Sequence, residues 1–381
     1  MLIGLDGIPL TELKTGVGHY TFELAQALAR LAPQNEFELA YPSTYPPIDL
    51  TAHEGSSSLP TNLKAARVNV GPLGRHWWSI GLPGYVRQRG VELFHGTNYD
   101  IPLRRRCPTV LTVHDLSLLT HPETHEKSRV RRARRRLRLM VHESTAIITP
   151  TESVRREVCS ELGVNSEKVF AVPEAFRDCF RPVPYATTEE VRRRFGIRGD
   201  FLLTVGTIEP RKNMGTLVRA FANVMRRDPR PELQLVIAGD KGWLTSQFFS
   251  EVEQSGVADR IVFTGYLFDH DLGALYSSCL LFIYPSIYEG FGLPPLEAMA
   301  CGAPVIVSRI PTLVETTQGS AGYFDPASDD ELTRAIVDLT RNDSARQRIA
   351  DAGLKQAAKF SWEQTAQMTL SVYEEALHRD A

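Results

Sequence analysis

Two glutamates eight residues apart, Glu289 and Glu297, occupy the stretch of the sequence best suited to binding a ligand. An apolar run from Cys279 to Ile283 precedes them, and its length is typical of a buried parallel strand. A turn that contains Gly290 and Gly292 follows. The order predicts a strand, a glycine turn and then a helix, with one carboxylate in the turn and the other on the helix.

The predicted helix begins with Pro294 and Pro295, which the first turn of a helix tolerates, and Gly302 is placed to end it. A helix N-terminus presents backbone N–H groups to an anion, typically a phosphate. From the turn, Glu289 could reach the hydroxyl groups of a sugar. Glu297, on the helix, could bind two vicinal hydroxyl groups such as those of a ribose. The alternative is a glycine turn beside two solvated glutamates, but the strand and the prolines favour a ligand site.

A basic pair, Arg211 and Lys212, follows the predicted strand Phe201–Val205 in the segment that also holds Thr207 and Glu209. An arginine fork and a lysine point charge suit a diphosphate. Cations at the start of a helix gain nothing from its dipole, which favours a bound anion over helix stabilisation.

The first half of the chain opens with a predicted strand, Leu2–Asp6, and then two glycines, Gly16 and Gly18, ahead of a helix that we expect from His19 to about Leu31. A strand, a glycine loop and a helix again suit an anion. Two glycines spaced in this way more often mark a tight turn, so the pattern is weak by itself.

Two histidines follow predicted strands: His95 after Val91–Phe94 and His114 after Thr109–Val113. Ligand groups in open α/β sheets lie beyond the carboxyl ends of strands. A lone histidine is more often a core residue, yet an imidazole at these positions can donate to a sugar hydroxyl or to developing negative charge. We rank His114 ahead of His95.

A basic amphipathic helix is predicted over Lys127–Arg138. Such a charge run is usually a solvated face, but its density also suits anionic lipid headgroups or a polyanionic acceptor. We expect no nucleic acid, because no nucleic-acid-binding motif accompanies it. Trp77 and Trp78 are either core residues or an amphipathic platform for an acceptor or a membrane interface.

With 381 residues, 43% of them apolar and 23% charged, the chain has the composition of a globular protein with two domains. We expect residues 1–183 and 184–360 to form them. No apolar run has the length of a membrane span, and the start lacks the features of a signal peptide. The five cysteines include no Cys-x-x-Cys pair, which indicates reduced core thiols in the cytoplasm.

The stretch "EGFGLPPLEAMACGAPVI" resembles the donor-binding signature of retaining glycosyltransferases of family 4, which have two Rossmann-like domains facing a cleft (the GT-B fold), and "VLTVHDLSLL" resembles their histidine segment. The resemblance implies that Glu289 and His114 contact the transferred sugar and that Glu297 binds the ribose. It further implies that a helix at 361–379 crosses back to the first domain, that the glycine loop of that domain faces the donor diphosphate, and that the segment at Gly265 lines the base.

The resemblance and the basic pair together assign catalytic roles to His114, Glu289, Lys212 and Arg211. The expected donor-binding residues are Gly16, Gly18, Thr207, Glu209, Gly265, Tyr266, Gly290, Phe291, Gly292, Leu293 and Glu297. One departure is Thr207, which stands where many members carry an arginine, so that Arg211 takes over part of that charge.

The implied activity is retaining, metal-independent transfer of a hexose from a nucleotide sugar, without a cofactor, to a glycan or lipid-linked acceptor. We expect the donor mainly on the domain of residues 184–360 and the acceptor on the domain of residues 1–183. "TIEPRKN" and "HGTNYDIPL" are similar to bacterial members that build cell-surface polysaccharides, which favours GDP-mannose over a UDP-sugar, in the cytoplasm or on the inner face of the membrane. Two alternatives remain: a sugar-nucleotide epimerase or hydrolase, and a non-catalytic module that binds membranes or polyanions.

Overall fold

A computed structural model describes residues 1–11, 16–50, 59–71, 76–103, 106–230 and 232–380. The chain divides into two compact units: unit 1 comprises Met1–Leu116, Arg131–Ala175 and Phe360–Ala381, and unit 2 comprises Ser117–Val130 and Phe176–Lys359. Each unit contains one parallel sheet whose strands alternate with helices, so the prediction of two Rossmann-like domains is confirmed.

Except at one partly exposed edge strand, the sheet of unit 1 is formed by short strands that are apolar along most of their length, as expected for parallel strands buried on both faces. In chain order they are β1 (Leu2–Asp6), β2 (Glu36–Pro42), β3 (Leu63–Val68), β4 (Leu93–Gly96), β5 (Thr109–Thr112), β6 (Ala146–Thr149) and β7 (Val169–Ala171). Their order across the sheet is β3-β2-β1-β4-β5-β6-β7.

The helices of unit 1 include one from the C-terminal end of the chain. They are α1 (Gly16–Leu31), α2 (Leu82–Arg89), the main part of α4 (Lys127–Glu143), α5 (Glu152–Leu162) and α14 (Trp362–Asp380). Trp362, Ala366, Val372 and Tyr373 of α14 lie in the same buried cluster as the apolar residues of α1 and β1. The predicted return of the last helix to the first domain is therefore confirmed.

The sheet of unit 2 repeats this architecture. Its strands are β8 (Phe201–Val205), β9 (Gln234–Ala238), β10 (Ile261–Gly265), β11 (Leu281–Tyr284), β12 (Val305–Ser308) and β13 (Gly322–Phe324), in the order β10-β9-β8-β11-β12-β13. Its helices are α3 (Ser117–Thr120), α6 (Tyr185–Arg194), α7 (Met214–Arg227), α8 (Ser246–Gln254), α9 (Asp269–Ser278), α10 (Leu293–Ala300), α11 (Pro311–Thr317), α12 (Asp329–Arg341) and α13 (Asp343–Ala357).

Each sheet has a switch point, where chain order reverses across neighbouring strands. It lies between β1 and β4 in unit 1 and between β8 and β11 in unit 2. Loops that leave the carboxyl ends of such strands diverge and open a crevice, which is where ligands bind in open α/β sheets. The two switch points are therefore the first places to look for function.

Several local expectations differ from the structure. Helix α1 begins at Gly16, so Gly16 and Gly18 lie in its first turn rather than in a preceding loop. Trp77 is buried in the core and Trp78 packs against that core, which favours the core interpretation over an exposed platform. Only three of the five cysteines are buried, because Cys179 is exposed and Cys159 is intermediate.

Candidate functional site

The loops that follow β8 and β11 are joined by hydrogen bonds at the switch point of unit 2. The Ile287 amide donates to the Arg211 carbonyl over 3.0 Å. The Asn213 amide group donates to the carbonyls of Pro285 (3.1 Å) and Pro326 (2.9 Å), and Asn213 has a left-handed backbone, φ 53°. These bonds fix the position of the basic pair relative to the glycine turn.

Glu289 forms the centre of a buried ion cluster. Its two carboxylate oxygens accept from Arg211 Nη1 (3.0 Å) and Lys212 Nζ (2.6 Å). Arg211 Nη2 also donates to Glu209 over 2.7 Å, so two cations face two carboxylates. Glu209 and Glu289 are 6% and 7% exposed, which places these charges largely out of water.

The charges of this cluster depend on one another. Burial alone would raise the pKa of Glu289, but Lys212 and then Arg211 lower it to about 2. Burial lowers the pKa of Lys212 and raises that of Glu209. Glu289 is consequently ionised, and Lys212 also donates to the Tyr284 hydroxyl over 2.7 Å, which fixes the direction of its ammonium group.

The glycine turn leads into α10 through a position that requires glycine. Gly292 precedes the helix with φ 101°, and a Cβ there would lie 2.6 Å from Cδ2 of Leu313. Phe291 is buried in the turn, and α10 begins at Leu293 with prolines in its first turn, as predicted. The structure thus places Gly290–Leu293 directly after Glu289, at the entry to α10.

Glu297 lies on α10 and is held by partners that the sequence analysis missed. Its carboxylate accepts from Arg177 Nη2 (3.1 Å) and from the Tyr276 hydroxyl (3.0 Å), and it is 6% exposed. Arg177 also pairs with Asp269. These partners are distant in sequence, and no local pattern indicates the pairing.

Gly265 is the last residue of the edge strand β10, and Tyr266 follows it. Gly265 has φ 70°, and the Tyr266 amide donates to Asp240 Oδ1 over 3.1 Å. Tyr266 is 39% exposed. Thr207, the position of the departure from the family pattern, is exposed after β8.

His114 in unit 1 makes two hydrogen bonds. Its Nδ1 lies 2.9 Å from Glu174 Oε1 and its Nε2 lies 2.8 Å from the Thr97 carbonyl. Burial lowers the pKa of His114, but the hydrogen bond and the charge of Glu174 outweigh burial and raise it. Glu174 and the Thr97 carbonyl both accept hydrogen bonds, so both ring nitrogens donate to them when the imidazole is protonated. In this arrangement neither nitrogen is directed at a hydroxyl group.

His95 is a core residue rather than a site residue. It is fully buried, with Nδ1 2.7 Å from the Tyr373 hydroxyl and Nε2 2.8 Å from the Thr112 hydroxyl. Burial, followed by the charge of His114, lowers its pKa to about 3. It therefore connects α14 to the sheet as a neutral side chain.

The arginines of α4 divide between two faces. Arg136 turns inward, with Nε 2.5 Å from Asp100 Oδ1. Five others are exposed and, among the described residues, form no ion pair; they are Arg131, Arg132, Arg134, Arg135 and Arg138. We call these five residues the arginine face.

Within the described ranges, no three His, Cys, Asp or Glu side chains come together in a way that could hold a metal ion. In the same ranges, every helix is too short or too polar to span a bilayer.

Comparison with known proteins gives consistent matches over both units. The family model for glycosyl transferases group 1 matches residues 187–356, and the model for glycosyltransferase family 4 matches residues 14–176. The chain is 29% identical to O-antigen chain mannosyltransferase B of Escherichia coli, over 96% of this chain and 97% of that protein.

Solved structures share the fold. Sucrose-phosphate synthase from Thermosynechococcus elongatus superposes with a TM-score of 0.76 at 21% identity, covering 98% of both chains. Anabaena HepE in complex with UDP-glucose gives a TM-score of 0.73 at 17% identity, covering 98% of this chain and 99% of that one.

Proposed function

Because the chain belongs to the family 4-like glycosyltransferases of the GT-B fold, we propose that it transfers a hexose from a nucleoside diphosphate sugar to a glycan or lipid-linked acceptor in cell-surface polysaccharide synthesis. The transferred sugar is mannose, and the donor is GDP-mannose in preference to a UDP-sugar. The reaction retains the anomeric configuration and needs neither a metal ion nor a cofactor.

The observation that carries the proposal is the Arg211–Lys212–Glu289 cluster at the switch point of unit 2. When the bond between the sugar and the diphosphate breaks, negative charge develops on the leaving phosphate. Buried cations that are already oriented stabilise such charge more than mobile ones do. Glu289 keeps both cations in place and, as the family resemblance implies, contacts the sugar.

In the proposed reaction the anomeric carbon exchanges its bond to the phosphate oxygen for a bond to an acceptor hydroxyl oxygen. The proton of that hydroxyl passes to the leaving phosphate on the same face of the sugar. No protein nucleophile is therefore required. The leaving group is the nucleoside diphosphate, which the cations of the cluster balance.

The preference for mannose is supported by the name of the Escherichia coli relative, a mannosyltransferase. HepE, which shares the fold, was solved with UDP-glucose, and we therefore keep a UDP-sugar as the second choice. We place the base beside Gly265 and Tyr266, where the tyrosine ring is partly exposed and the Asp240 carboxylate is close.

The arginine face suits an anionic lipid surface, which would place the enzyme on the inner face of the membrane beside a lipid-linked acceptor. Its five guanidinium groups lie on one helix, together with the exposed side chain of Leu139. Basic residues gain about 1 kcal/mol each near such a surface.

The proposal is tested by a screen of GDP- and UDP-sugars for donor hydrolysis and for transfer, together with thermal unfolding in GDP or UDP. We expect turnover of GDP-mannose and a larger rise in melting temperature with GDP than with UDP. Equal or reversed shifts would overturn the choice of donor.

The same screen separates the alternatives. Donor hydrolysis or epimerisation with no acceptor product favours the epimerase or hydrolase. If no donor turns over, and binding to membranes survives changes at Glu289 and Lys212, the chain is a non-catalytic module.

A further inference from the structure

The switch point of unit 1 carries a polar cluster that the sequence analysis did not select. In unit 2 the corresponding position, between β8 and β11, holds the ion cluster described above. Between β1 and β4 the chain places Asp6, the last residue of β1, whose side chain is almost completely buried. A charged group is rarely buried so deeply unless it is paired or binds something.

The Asp6 carboxyl group has unused hydrogen-bonding capacity. Oδ1 accepts from the Ile8 amide over 3.1 Å, and this is its one hydrogen bond among the residues that the structure describes. The Thr97 hydroxyl instead donates to the Asp6 backbone carbonyl over 3.2 Å. A carboxyl group accepts up to about four hydrogen bonds, so most of its capacity is left for a ligand.

Asp100 and Arg136 lie close enough to Asp6 for their charges to act on its pKa, which Asp100 raises and Arg136 lowers. Arg136 Nε lies 2.5 Å from Asp100 Oδ1, and its guanidinium carbon lies 5.4 Å from the centroid of the Trp78 ring. Arg136 Nη2 is buried and, within the described ranges, has no partner. An unpaired N–H donor near carboxyl groups that can accept further hydrogen bonds suits a polar ligand.

The backbone around Asp100 is shaped to hold it there. A Cβ on Gly96 would lie 1.8 Å from the Asp100 carbonyl oxygen, so only glycine lets this loop approach the end of β4 so closely. Tyr99, directly before Asp100, has φ 61°, an uncommon conformation for a residue with a large side chain. Strained backbone of this kind occurs most often at functional sites.

The protonation of the carboxyl groups indicates the class of ligand. Burial raises the pKa of Asp6 to about 8, against the opposing effects of the Ile8 amide and Arg136. Burial likewise raises the pKa of Asp100 to about 6. A carboxyl group that is partly neutral near pH 7 both donates and accepts hydrogen bonds, as a hydroxyl group requires.

We propose that Asp6, Asp100 and Arg136 form a subsite that binds hydroxyl groups of a neutral glycan acceptor. The inference rests on the proposed function, since it assigns the residues that hold the acceptor of that reaction. A phosphate or another anion fits less well, because two carboxyl groups face the single arginine.

The test uses the full chain with GDP-mannose as donor and with mannobiose and mannotriose as neutral acceptors. Asp6→Asn and Asp100→Asn remove the acidity at nearly constant size, and Arg136→Gln removes the charge. Each change is expected to raise the acceptor KM about tenfold, because a hydrogen bond to an acceptor hydroxyl is lost or weakened. The donor KM and the rate of donor hydrolysis without acceptor should stay within about twofold of the wild-type values.

A matched control is Glu38→Gln. Glu38 is also buried in unit 1 and pairs with an arginine, Arg89, but it lies within β2, away from the carboxyl ends of the strands. Its acceptor KM should not change. If Asp6→Asn does not fold, the variants at Asp100 and Arg136, which are more exposed, decide the question.

Calorimetric titration of mannotriose into the wild type and the three variants, without donor, separates the two proposals. Absence of any donor turnover would defeat the proposed function, while glycan binding that the three changes weaken would still support the subsite. Donor turnover with unchanged acceptor KM in all three variants would overturn the subsite alone. So would transfer confined to acceptors that carry a lipid diphosphate.

Discussion

Glu289 is the residue on which the ion cluster of unit 2 depends, because it accepts from Arg211 and Lys212 at once. Glu289→Gln leaves two buried cations with one carboxylate. We expect the free energy of unfolding to fall by about 3–5 kcal/mol, as when a buried ion pair loses one partner. Transfer should slow about 100-fold or more, because the cations are no longer held in place.

Urea unfolding and steady-state rates measure the two effects. Glu251→Gln is the control, since Glu251 pairs with Arg219 at a half-exposed position and its loss should cost less than about 1 kcal/mol. Equal stability losses in the two variants would contradict a special role for Glu289.

His95 gives unit 1 a defined sensitivity to acid. Its pKa is about 3 when folded, below the ordinary value of 6.5. Between these values the unfolded chain binds a proton that the folded chain does not, so the free energy of unfolding falls as the pH falls. The slope is at most about 1.4 kcal/mol per pH unit.

His95→Gln should remove this dependence of the free energy of unfolding on pH. Because the wild type loses stability as the pH falls and the variant does not, the difference between their unfolding free energies should narrow from pH 7 towards pH 4.5, as measured by urea unfolding. His142→Gln, which changes an exposed histidine, is the control. A gap that stays constant over this range would show that His95 does not carry the effect.

At the scale of elements, the entry into α10 depends on Gly292. Gly292→Ala adds a Cβ that clashes with the buried Leu313 and places alanine at φ 101°. Gly302→Ala also has a positive φ, 82°, but its Cβ meets open space. The left-handed backbone should lower the free energy of unfolding by about 1–2 kcal/mol in each variant. Overpacking should lower it by about 1–3 kcal/mol more in Gly292→Ala alone.

Urea unfolding measures this difference, and titration with GDP measures the effect on the turn. We expect weaker GDP binding in Gly292→Ala and unchanged binding in Gly302→Ala. Similar losses of stability in both variants would show that Leu313 moves aside and that the turn has room for a side chain.

The arginine face of α4 is tested as an element too. Arg132→Glu, Arg135→Glu and Arg138→Glu together should abolish sedimentation with vesicles that contain phosphatidylglycerol at low salt, because each guanidinium contributes to attraction by the surface. Arg136 is left unchanged, since it turns inward to Asp100.

The control makes the same change of charge at three exposed arginines of unit 2, namely Arg193, Arg334 and Arg348. We expect the control to bind vesicles as the wild type does. A wild type that stays in the supernatant at low salt would end the membrane proposal.

At the scale of the whole molecule, each unit has its own buried core, and unit 1 depends on a helix from the far end of the chain. Tyr373→Ala should destabilise unit 1 by about 3 kcal/mol or more, because it leaves a cavity and removes the hydroxyl partner of His95. Amides of β1 and β4 should then exchange faster with solvent, while those of β8 and β11 keep their protection.

Native-state hydrogen exchange followed by mass spectrometry measures the exchange rates of these amides in each unit. The control is Glu374→Ala, which changes an exposed neighbour on α14. Faster exchange throughout both units would mean that the two cores unfold together rather than separately.

The catalytic and donor-binding assignments at Glu289, Lys212 and His114 remain predictions. What the structure adds is their surroundings. The basic pair and Glu289 lie in different loops, yet both loops leave strands at one switch point, so their approach follows from the parallel sheet. The carboxyl ends of neighbouring parallel strands meet at one edge.

The sequence alone determined the alternation of strands and helices, the two Rossmann-like domains, the return of the last helix and the loops that hold the ion cluster. The alternation, the two domains and the loops follow from local periodicity, turn residues or a contiguous motif, whereas the return of the last helix was implied by the family resemblance. Only the tertiary structure showed that Arg177 holds Glu297, that His95 belongs to the core, and that the Asp100–Arg136 pair lies within electrostatic reach of Asp6. These residues lie far apart in the chain. The order of the strands and the packing of the helices decide which of them come together, and no local sequence pattern encodes either.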